Sequence, residues 1–244
     1  MERQPDSRKG DNGRVLVIGG SEKYVGAPFL AGMAALRAGA DLVYVAAPEK
    51  VAWTLNSMSP DLITHKCSGW DVEVLLQYAS QMDVVLIGSG LEPENWIRDF
   101  VRACKIPMVI DAGALHVVHL DDPCKAVFTP HQKEYEELVR NIADPAAMVG
   151  NSVILKKGVR DEIIAAGQIE RIEGGNAGMT VGGTGDVLAG IVAGLIAQGN
   201  DAYEAARHAS VYNKAAGDYL YETCGYGYVA SDFLDVIPHI IDES

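Results

Sequence analysis

Several features that would define a secreted, membrane-bound or metal-binding chain are missing from this sequence. No apolar run approaches the roughly 20 residues that a membrane-spanning helix requires. The N-terminal segment MERQPDSRKGDNGR has no apolar signal core, so we expect a cytoplasmic protein whose residues 1–13 form a disordered polar lead-in. The four cysteines show no CxxC spacing, which indicates buried, reduced thiols rather than disulfides or a zinc site.

Positive charge is also scarce. The chain carries 20 Lys and Arg residues against 33 Asp and Glu residues, which gives a formal net charge of −13. Nucleic acids and anionic membranes attract basic surfaces, so we expect neither as a partner.

Two common nucleotide-binding signatures are absent as well. Gly19-Gly20-Ser21 follows the first predicted strand but does not fit GxGxxG, and the next strand ends in Val45-Ala46-Ala47 without an acidic residue. The chain has no GxxxxGK(S/T) loop. A phosphate site must therefore be sought later in the sequence.

The sequence does contain an alternation of short apolar strands and helices. With 48% hydrophobic and 22% charged residues, it is typical of a globular α/β protein. Apolar strands separated by helices predict a mostly parallel central sheet covered by helices on both faces, and we expect residues 14–244 to form one domain. The predicted strands are Arg14–Ile18, Leu42–Val45, Val84–Ile87, Met108–Ile110, Ala126–Thr129 and Val153–Leu155, and the predicted helices include Ala27–Ala38, Pro93–Cys104 and Gln132–Val139.

The segment Gly175–Gly199, GNAGMTVGGTGDVLAGIVAGLIAQG, is the most informative part of the chain. Apolar residues at steps of four predict a helix with a wide buried face. Glycines before it leave backbone N–H groups uncovered, and a helix N-terminus attracts anions, above all phosphate. Asp186 lies at this point, where a carboxylate repels phosphate unless it acts as a base or works with a cation. An N-capping Asp in a tight turn is the alternative.

Small or polar residues follow five of the predicted strands. Ligands of open α/β sheets bind outside the carboxyl ends of the strands, so these exits and the glycine-rich loop together predict a cleft. The five exits are Gly19-Gly20-Ser21, Gly88-Ser89-Gly90, Asp111, Thr129-Pro130-His131 and Lys157-Gly158.

These motifs resemble those of the ADP- or ATP-dependent NAD(P)H-hydrate dehydratases, a branch of the ribokinase-like superfamily. The GTGD loop marks the superfamily, whereas the long glycine segment and TPHxxE mark the branch. The resemblance implies a ribokinase-like fold and the repair of NADHX or NADPHX, the hydrated forms of NADH and NADPH, by phosphorylation of the ring hydroxyl and loss of phosphate. Besides the glycine segment, the matching motifs between Gly13 and Pro238 are GRVLVIGGSEKYVGAP, ALRAGA, IGSGL, DAGAL, TPHQKEYEEL, LKKG and SDFLDVIP.

The resemblance also implies roles for individual residues. Asp186 would activate the ring hydroxyl, and the backbone of the GTGD loop would stabilise the phosphoryl group. His131 has the alternative of an unliganded helix-start residue, and Lys157 that of a solvated turn lysine. The implied substrate contacts are Ala27, Gly90, His131 and Asp186, and the implied nucleotide contacts are Lys157, Gly158, Val159, Arg160, Asp161, Gly183, Thr184 and Gly185.

The chain departs from the family pattern at several positions. Gly113 replaces the second acid of the usual DADAL motif, which predicts weaker polar contacts near the phosphate site. Ser89 stands where proline is usual, and Asp161 where threonine is frequent. The pair Lys156-Lys157 leaves the register of the nucleotide loop open by one residue.

The expected ligands and partners follow from the same resemblance. We expect Mg²⁺ because of the phosphate charge, without identified ligands, and ADP or ATP as phosphoryl donor. A homotetramer is implied, and the short lead-in predicts a stand-alone dehydratase with any epimerase on a separate chain. The alternatives are a ribokinase-type kinase of a small-molecule alcohol, such as a vitamin precursor, and a nucleotide-binding regulator without catalysis.

Overall fold

A nine-stranded sheet forms the centre of the molecule in the computed structural model, which describes residue 3, residues 5–140 and residues 142–243. The strands are β1 Arg14–Ile18, β2 Leu42–Pro48, β3 Ile63–Cys67, β4 Val84–Ile87, β5 Met108–Ile110, β6 Ala126–Phe128, β7 Val153–Lys156, β8 Asp161–Ala165 and β9 Gln168–Ile172. Their order is β3-β2-β1-β4-β5-β6-β7-β8-β9. Neighbours from β3 to β7 are parallel, whereas β8 is antiparallel to both β7 and β9.

Helices follow most of the parallel strands. Over the described part of the chain they are α1 Gly26–Arg37, α2 Glu49–Met58, α3 Val72–Ala79, α4 Asn95–Ala103, α5 Gln132–Leu138, α6 Pro145–Met148, α7 Thr184–Ala197, α8 Ala202–Cys224 and α9 Asp232–Asp242. Short 3-10 turns span Ala112–His116, Ala177–Thr180 and Gly225–Gly227.

The sheet is buried on both faces. Residues 15–18 of β1 are fully buried, and successive side chains of a strand point to opposite faces. Val15 and Val17 belong to the core under α1, α7, α8 and α9, whereas Leu16 and Ile18 belong to the core under α3 and α4. The prediction of a mostly parallel sheet covered by helices on both faces is confirmed.

Helix α7 lies deeper than its sequence pattern predicts. All residues from 187 to 197 are buried, not only those of one face, because α7 packs between α1, α8 and the sheet. Two glycines permit the contact with α1. A Cβ atom added at Gly190 would lie 2.2 Å from the carbonyl oxygen of Ala31, and one at Gly194 would lie 2.7 Å from that of Ala35.

The strands at both edges of the sheet have no counterpart among the predicted strands. At one edge, β3 contains only half-buried and exposed residues, and at the other β8 and β9 form a hairpin whose turn contains Gly167 with φ +74°. Neither β3 nor β9 has the continuous apolar run that marks a central strand. Element ends also shift: Thr129 lies outside β6, and α4 begins at Asn95 rather than Pro93.

The cysteines are free thiols, as expected, but they are not all buried. Cys104 is buried and Cys67 is half-buried, whereas Cys124 and Cys224 are exposed. The prediction of buried thiols is therefore wrong for the last two, which lie in the loop before β6 and at the end of α8.

The N-terminal segment makes contacts with the end of the α1–β2 connection. Residues 5–13 contain no helix or strand, and the backbone N–H groups of Gly10 and Asn12 donate to the Asp41 carboxylate at 2.9 and 3.1 Å. Disorder of this lead-in stays a prediction, and its residues Met1, Glu2 and Gln4 lie outside the described residues.

The length and hydropathy of the helices decide whether any of them could span a membrane. Within the described ranges, none is both long enough and apolar enough to cross a lipid bilayer.

The close approach of α1 and α7 generates a prediction about stability. In Gly190→Ala the new methyl group must displace the Ala31 carbonyl, which outweighs the gain in helix propensity, and we expect a net loss of about 1–2 kcal/mol. The matched control is Gly69→Ala, because a Cβ atom at Gly69 meets nothing within 4 Å. Thermal melts should show a Tm lower by about 2–8 °C for the first variant only. Equal Tm values for the two variants would contradict this account.

Candidate active site

The N-terminus of α7 lies at the edge of the sheet formed by the carboxyl ends of the parallel strands. Gly183 caps the helix in the left-handed conformation, with φ +101°, and a Cβ atom there would lie 2.6 Å from Leu30. The first hydrogen bond within the helix is donated by the Val187 N–H to the Gly183 carbonyl at 3.0 Å. The N–H groups before Val187 in this turn therefore have no helical acceptor. The Thr184 hydroxyl donates back to the carbonyls of Met179 and Val181, so the backbone of this turn is what faces a ligand.

Asp186 is the third residue of α7 and does not cap it. The N-cap is Gly183, so the alternative of an N-capping Asp is wrong. Burial raises the pKa of Asp186 to about 6, and the negative charge of Asp111 acts in the same direction, while Ser89 and the charge of Lys157 act against it. The carboxyl group therefore changes its charge near neutral pH.

Asp111 and Lys157 form a buried ion pair beside Asp186. The Lys157 ammonium donates to Asp111 Oδ1 at 2.9 Å, and the Thr129 hydroxyl donates to the same oxygen at 2.7 Å. Burial opposes the charged form of Lys157, but the charge and the hydrogen bond of Asp111 outweigh it and raise the pKa of the ammonium. Its Nζ atom would lie 3.2 Å from a Cβ atom on Gly185, so a cation stands at the mouth of α7. The alternative of a solvated turn lysine is wrong.

A cavity of about 630 Å³ lies on one side of this helix mouth. Loops after β7 and β9 and the middle of α8 form its walls. The predicted residues that line it are His131, Lys157, Gly158, Val159, Asp161, Thr184 and Gly185.

The remaining predicted residues lie off this cavity. Ala27 and Gly90 are neighbours, because a Cβ atom on Gly90 would lie 3.1 Å from the Ala27 Cβ atom, and Ser89, which precedes Gly90, lies near the Asp186 carboxylate. Arg160 is largely exposed and pairs with Glu173. The structure thus places most of the predicted nucleotide contacts along the cavity, and Ala27 and Gly90 outside the cavity lining.

The two adjacent lysines at the start of the β7–β8 loop have different partners. Lys157 points to Asp111, whereas Lys156 pairs with Glu162 at 2.9 Å and does not line the cavity. Asp161 is directed inward: its carboxylate accepts the Gly158 N–H at 2.9 Å and the Ser210 hydroxyl at 2.7 Å. Val159 at the tip of the loop is 93% exposed.

His131 lies both at the start of α5 and at the cavity. It caps α5, where the Glu134 N–H donates to its Nδ1 atom at 3.2 Å and its own N–H donates to Glu134 Oε2 at 2.8 Å. Its side chain is still 56% exposed and lines the cavity. The helix-start role is therefore real, and it leaves one edge of the imidazole open to a ligand.

Close packing explains why a glycine occupies position 113. A Cβ atom there would lie 2.1 Å from the carbonyl oxygen of Leu91, so this backbone accommodates no side chain at position 113. The weaker polar contacts near the phosphate site stay a prediction, because this packing shows only that a side chain is excluded at position 113.

Several residues of the site were not identified as site residues from the sequence. The strand-end rule locates Asp111 and Thr129 but does not reveal the hydrogen bonds that Asp111 accepts from Lys157 and Thr129. Asn176 lies in the glycine segment without an assigned role, and Lys214 carries no motif signal. Both line the cavity, where Asn176 donates to the Gly217 carbonyl of α8 and Lys214 to the Gly174 carbonyl.

Comparisons with known proteins identify the family of this chain. A family model described as NAD(P)H-hydrate dehydratase matches residues 15–239. The chain is 39% identical to the bifunctional NAD(P)H-hydrate repair enzyme Nnr of Methanothermobacter thermautotrophicus, with 98% of the chain and 52% of that protein covered, so it spans about half the length of such relatives. It is 34% identical to the ADP-dependent (S)-NAD(P)H-hydrate dehydratase of Nitrosopumilus maritimus, with 98% and 92% covered.

A solved structure supports the same assignment of the fold. A ribokinase-like superfamily protein from Enterococcus faecalis superposes with a TM-score of 0.87 at 30% identity, covering 99% of this chain and 91% of the other. The extent of the family match and the shared fold lead to one conclusion: the chain belongs to the NAD(P)H-hydrate dehydratase family and has a ribokinase-like fold.

Proposed function

We propose that this chain dehydrates NADHX or NADPHX to NADH or NADPH with ADP or ATP as phosphoryl donor, as a carbon–oxygen lyase of cofactor repair. The observation that carries the proposal is the position of Asp186, a carboxyl group with a pKa of about 6 at the anion-attracting N-terminus of α7. A base with such a pKa can accept the hydroxyl proton near neutral pH, while adjacent N–H groups hold phosphate. The name of the Nitrosopumilus maritimus relative supports ADP as donor.

The chemistry divides into phosphorylation and elimination. Asp186 accepts the proton of the ring hydroxyl while the hydroxyl oxygen attacks the terminal phosphorus and the bond to the rest of the nucleotide breaks. The carbon–oxygen bond of the phosphate ester then breaks with the help of the ring nitrogen lone pair, and the adjacent ring carbon loses a proton to the departing phosphate, which forms the ring double bond of NADH or NADPH. Phosphate leaves in place of hydroxide, which is a far poorer leaving group. The buried surroundings of Asp186 limit competing transfer to water.

The cavity is the proposed nucleotide site. Lys157 and the backbone from Gly183 to Gly185, including Thr184, would hold the transferred phosphoryl group. Gly158 and Val159 would contact the nucleotide along the cavity wall. We assign Arg160 to the outer rim, because it is exposed and paired with Glu173. Asp161 would act by shaping its loop, since both of its carboxylate oxygens already accept hydrogen bonds.

The hydrated dinucleotide would lie on the other side of Asp186. Ala27 and Gly90 form a surface there without bulky side chains, which allows a ring to approach the carboxylate. His131 would reach the same substrate across the helix mouth through the exposed part of its imidazole.

Magnesium would be shared with the nucleotide. Among the described residues, no group of three or more His, Cys, Asp or Glu side chains could hold a metal ion alone. The charges of Asp111 and Asp186 act on each other, so two carboxylates lie close to the phosphate site. The two carboxylates would hold a magnesium ion, and the ion would supply positive charge that offsets the charge of the phosphates.

Other properties stay predictions. We propose that residues 14–244 form one domain, on the ground that a single sheet runs through them. The homotetramer, the cytoplasmic location and the separate epimerase chain rest on the sequence analysis alone.

Wild-type protein incubated with NADHX, magnesium and ADP or ATP should regenerate NADH, and the absorbance of NADH measures the rate. Asp186→Asn keeps the shape of the side chain but cannot accept a proton, and we expect a loss of about 10²–10⁴-fold in kcat with nucleotide affinity retained. Asp232→Asn, which changes a first-turn Asp of α9, is the matched control and should keep the wild-type rate.

Each alternative function has its own outcome in this assay. Phosphorylation of another alcohol without NADH formation would indicate the kinase, which the comparisons do not favour. Nucleotide binding without any turnover would indicate a regulator. A wild-type rate in Asp186→Asn would remove this residue from the role of base.

The pH profile should depend on Asp111. Asp186 must be ionised to accept a proton, so kcat/KM should fall as the pH drops below about 6. The like charge of Asp111 raises this pKa, so Asp111→Asn should move the acidic limb to lower pH by about one unit. Asp122→Asn, at a buried carboxylate that pairs with Arg98 before β6, is the control and should leave the limb in place. An unshifted limb in Asp111→Asn would contradict the coupling.

His131→Ala should affect both binding and stability. We expect a higher KM for the hydrated dinucleotide, by about 2- to 10-fold for a lost hydrogen bond, and an unchanged KM for the nucleotide. Loss of the α5 cap should also lower the free energy of unfolding by about 1 kcal/mol, which a thermal melt would show as a lower Tm. A rise in the nucleotide KM alone would move His131 to the nucleotide site, and unchanged kinetics with a lower Tm would leave it only the capping role.

A further inference from the structure

A buried lysine in the middle of α8 joins two walls of the cavity. The Lys214 side chain is only 5% exposed, and its ammonium donates to the carbonyl oxygens of Gly158 at 3.3 Å, Val159 at 3.1 Å and Gly174 at 3.2 Å. An ammonium group has three donors, and these three carbonyls use all of them. Lys214 thereby connects the β7–β8 loop to the segment after β9 and has no donor left for a phosphate.

The charge of Lys214 is balanced by Asp161. One carboxylate oxygen lies 3.5 Å from the ammonium and accepts the Gly158 N–H, and the other accepts the Ser210 hydroxyl. Both charged side chains are more than nine-tenths buried, which is sustainable only when the charges are paired and hydrogen-bonded. Asp161 is also a position where the chain departs from the usual threonine, so the ion pair is tied to that departure.

One face of α8 holds both loops. Ser210, Lys214 and Asp218 follow each other at steps of four, which places them on the same side of a helix. Asp218 accepts the Gly175 N–H at 2.8 Å and a hydrogen bond from the Asn176 amide at 3.3 Å. We call Ser210, Lys214 and Asp218 the polar stripe of α8. The first two hold the β7–β8 loop, and the last two hold the segment after β9.

We propose that Lys214, paired with Asp161, is a positioning residue for the nucleotide: it fixes the separation of the two cavity walls and so sets nucleotide affinity without contacting the phosphates. The inference rests on the proposed nucleotide site. The carbonyls that it holds belong to Gly158 and Val159, which line the proposed nucleotide site, and to Gly174 on the facing wall. Without the ammonium, these carbonyls would face one another and the two loops would separate.

The test compares Lys214→Met with wild type by calorimetric titration of ADP and ATP. Methionine keeps the apolar stem and removes the charge, so we expect a Kd about tenfold higher or more, with kcat at saturating nucleotide and the KM for NADHX changed less than about twofold. The control is Lys156→Met, which breaks the ion pair with Glu162 one residue before Lys157, away from the cavity lining. Its nucleotide Kd should stay within about twofold of wild type.

A double variant separates positioning from general destabilisation. Lys214→Met alone leaves the Asp161 charge buried without its cation, which lowers the Tm. Asp161→Asn with Lys214→Met removes both charges, so the Tm should recover while the Kd stays high. Hydrogen exchange at the Gly158 and Gly175 amides should be faster in both variants.

Two results would overturn the inference. One is a wild-type Kd in Lys214→Met, and the other is a double variant that recovers Tm and Kd together, because the affinity would then depend on the unpaired charge alone. If the wild-type protein itself bound neither ADP nor ATP, the nucleotide site and this inference would fail together.

Discussion

The contact between α1 and α7 is the constraint on which the site depends. The absence of side chains at Gly190 and Gly194 lets the axis of α7 come close to the backbone of α1, and the helix is then enclosed on all sides. An enclosed helix has little freedom to slide or rotate, because protein interiors are packed as densely as organic crystals. Its N-terminus is therefore held at one place above the carboxyl ends of β4 and β5. The position of Asp186 beside Ser89 and Asp111 follows from that packing.

Charge at the site is set locally and not by the molecule as a whole. The chain carries a net charge of −13, yet its proposed ligands are anions. At physiological ionic strength, exposed charges are screened beyond about 8 Å, so the surface charge has little influence inside the cavity. There the free N–H groups of α7 and the Lys157 ammonium provide the positive potential, and Asp111 keeps that ammonium in place. The two carboxylates of Asp111 and Asp186 outnumber the one ammonium of Lys157. Binding of a negatively charged phosphate would therefore favour the binding of a further cation.

Much of the architecture could be predicted from the sequence because its central strands are short, wholly apolar and followed by small or polar residues. The strand-end rule correctly brings Asp111, His131 and Lys157 to the same edge of the sheet. The edge strands could not be predicted in the same way, since β3 and β9 are partly exposed and mix polar with apolar residues. For an edge strand, pairing with a neighbour decides the conformation more than composition does.

The site was less predictable than the fold. Lys214 contacts loop carbonyls 40 to 56 residues away in the chain, and no spacing rule relates such positions. Gly113 shows the opposite case, in which a sequence departure suggests a lost function. The structure shows instead that the Leu91 carbonyl occupies the space where a side chain would begin. In both cases the deciding contact is tertiary, and it becomes visible only when distant segments are placed together.

The glycines of α7 also link folding to ligand binding. A helix with glycine at two interior positions loses about 1 kcal/mol of propensity at each, so an isolated α7 segment is a weak helix former. Its helical form depends on burial against α1 and the sheet, and the anion-binding turn exists only when that core has formed. A partly folded chain should therefore lack the site altogether. Any ligand of the turn then binds the native state selectively and, at a concentration 100 times its Kd, stabilises it by about 2.7 kcal/mol. The free concentration of such a ligand in the cell would thus help to determine how much of the protein remains folded.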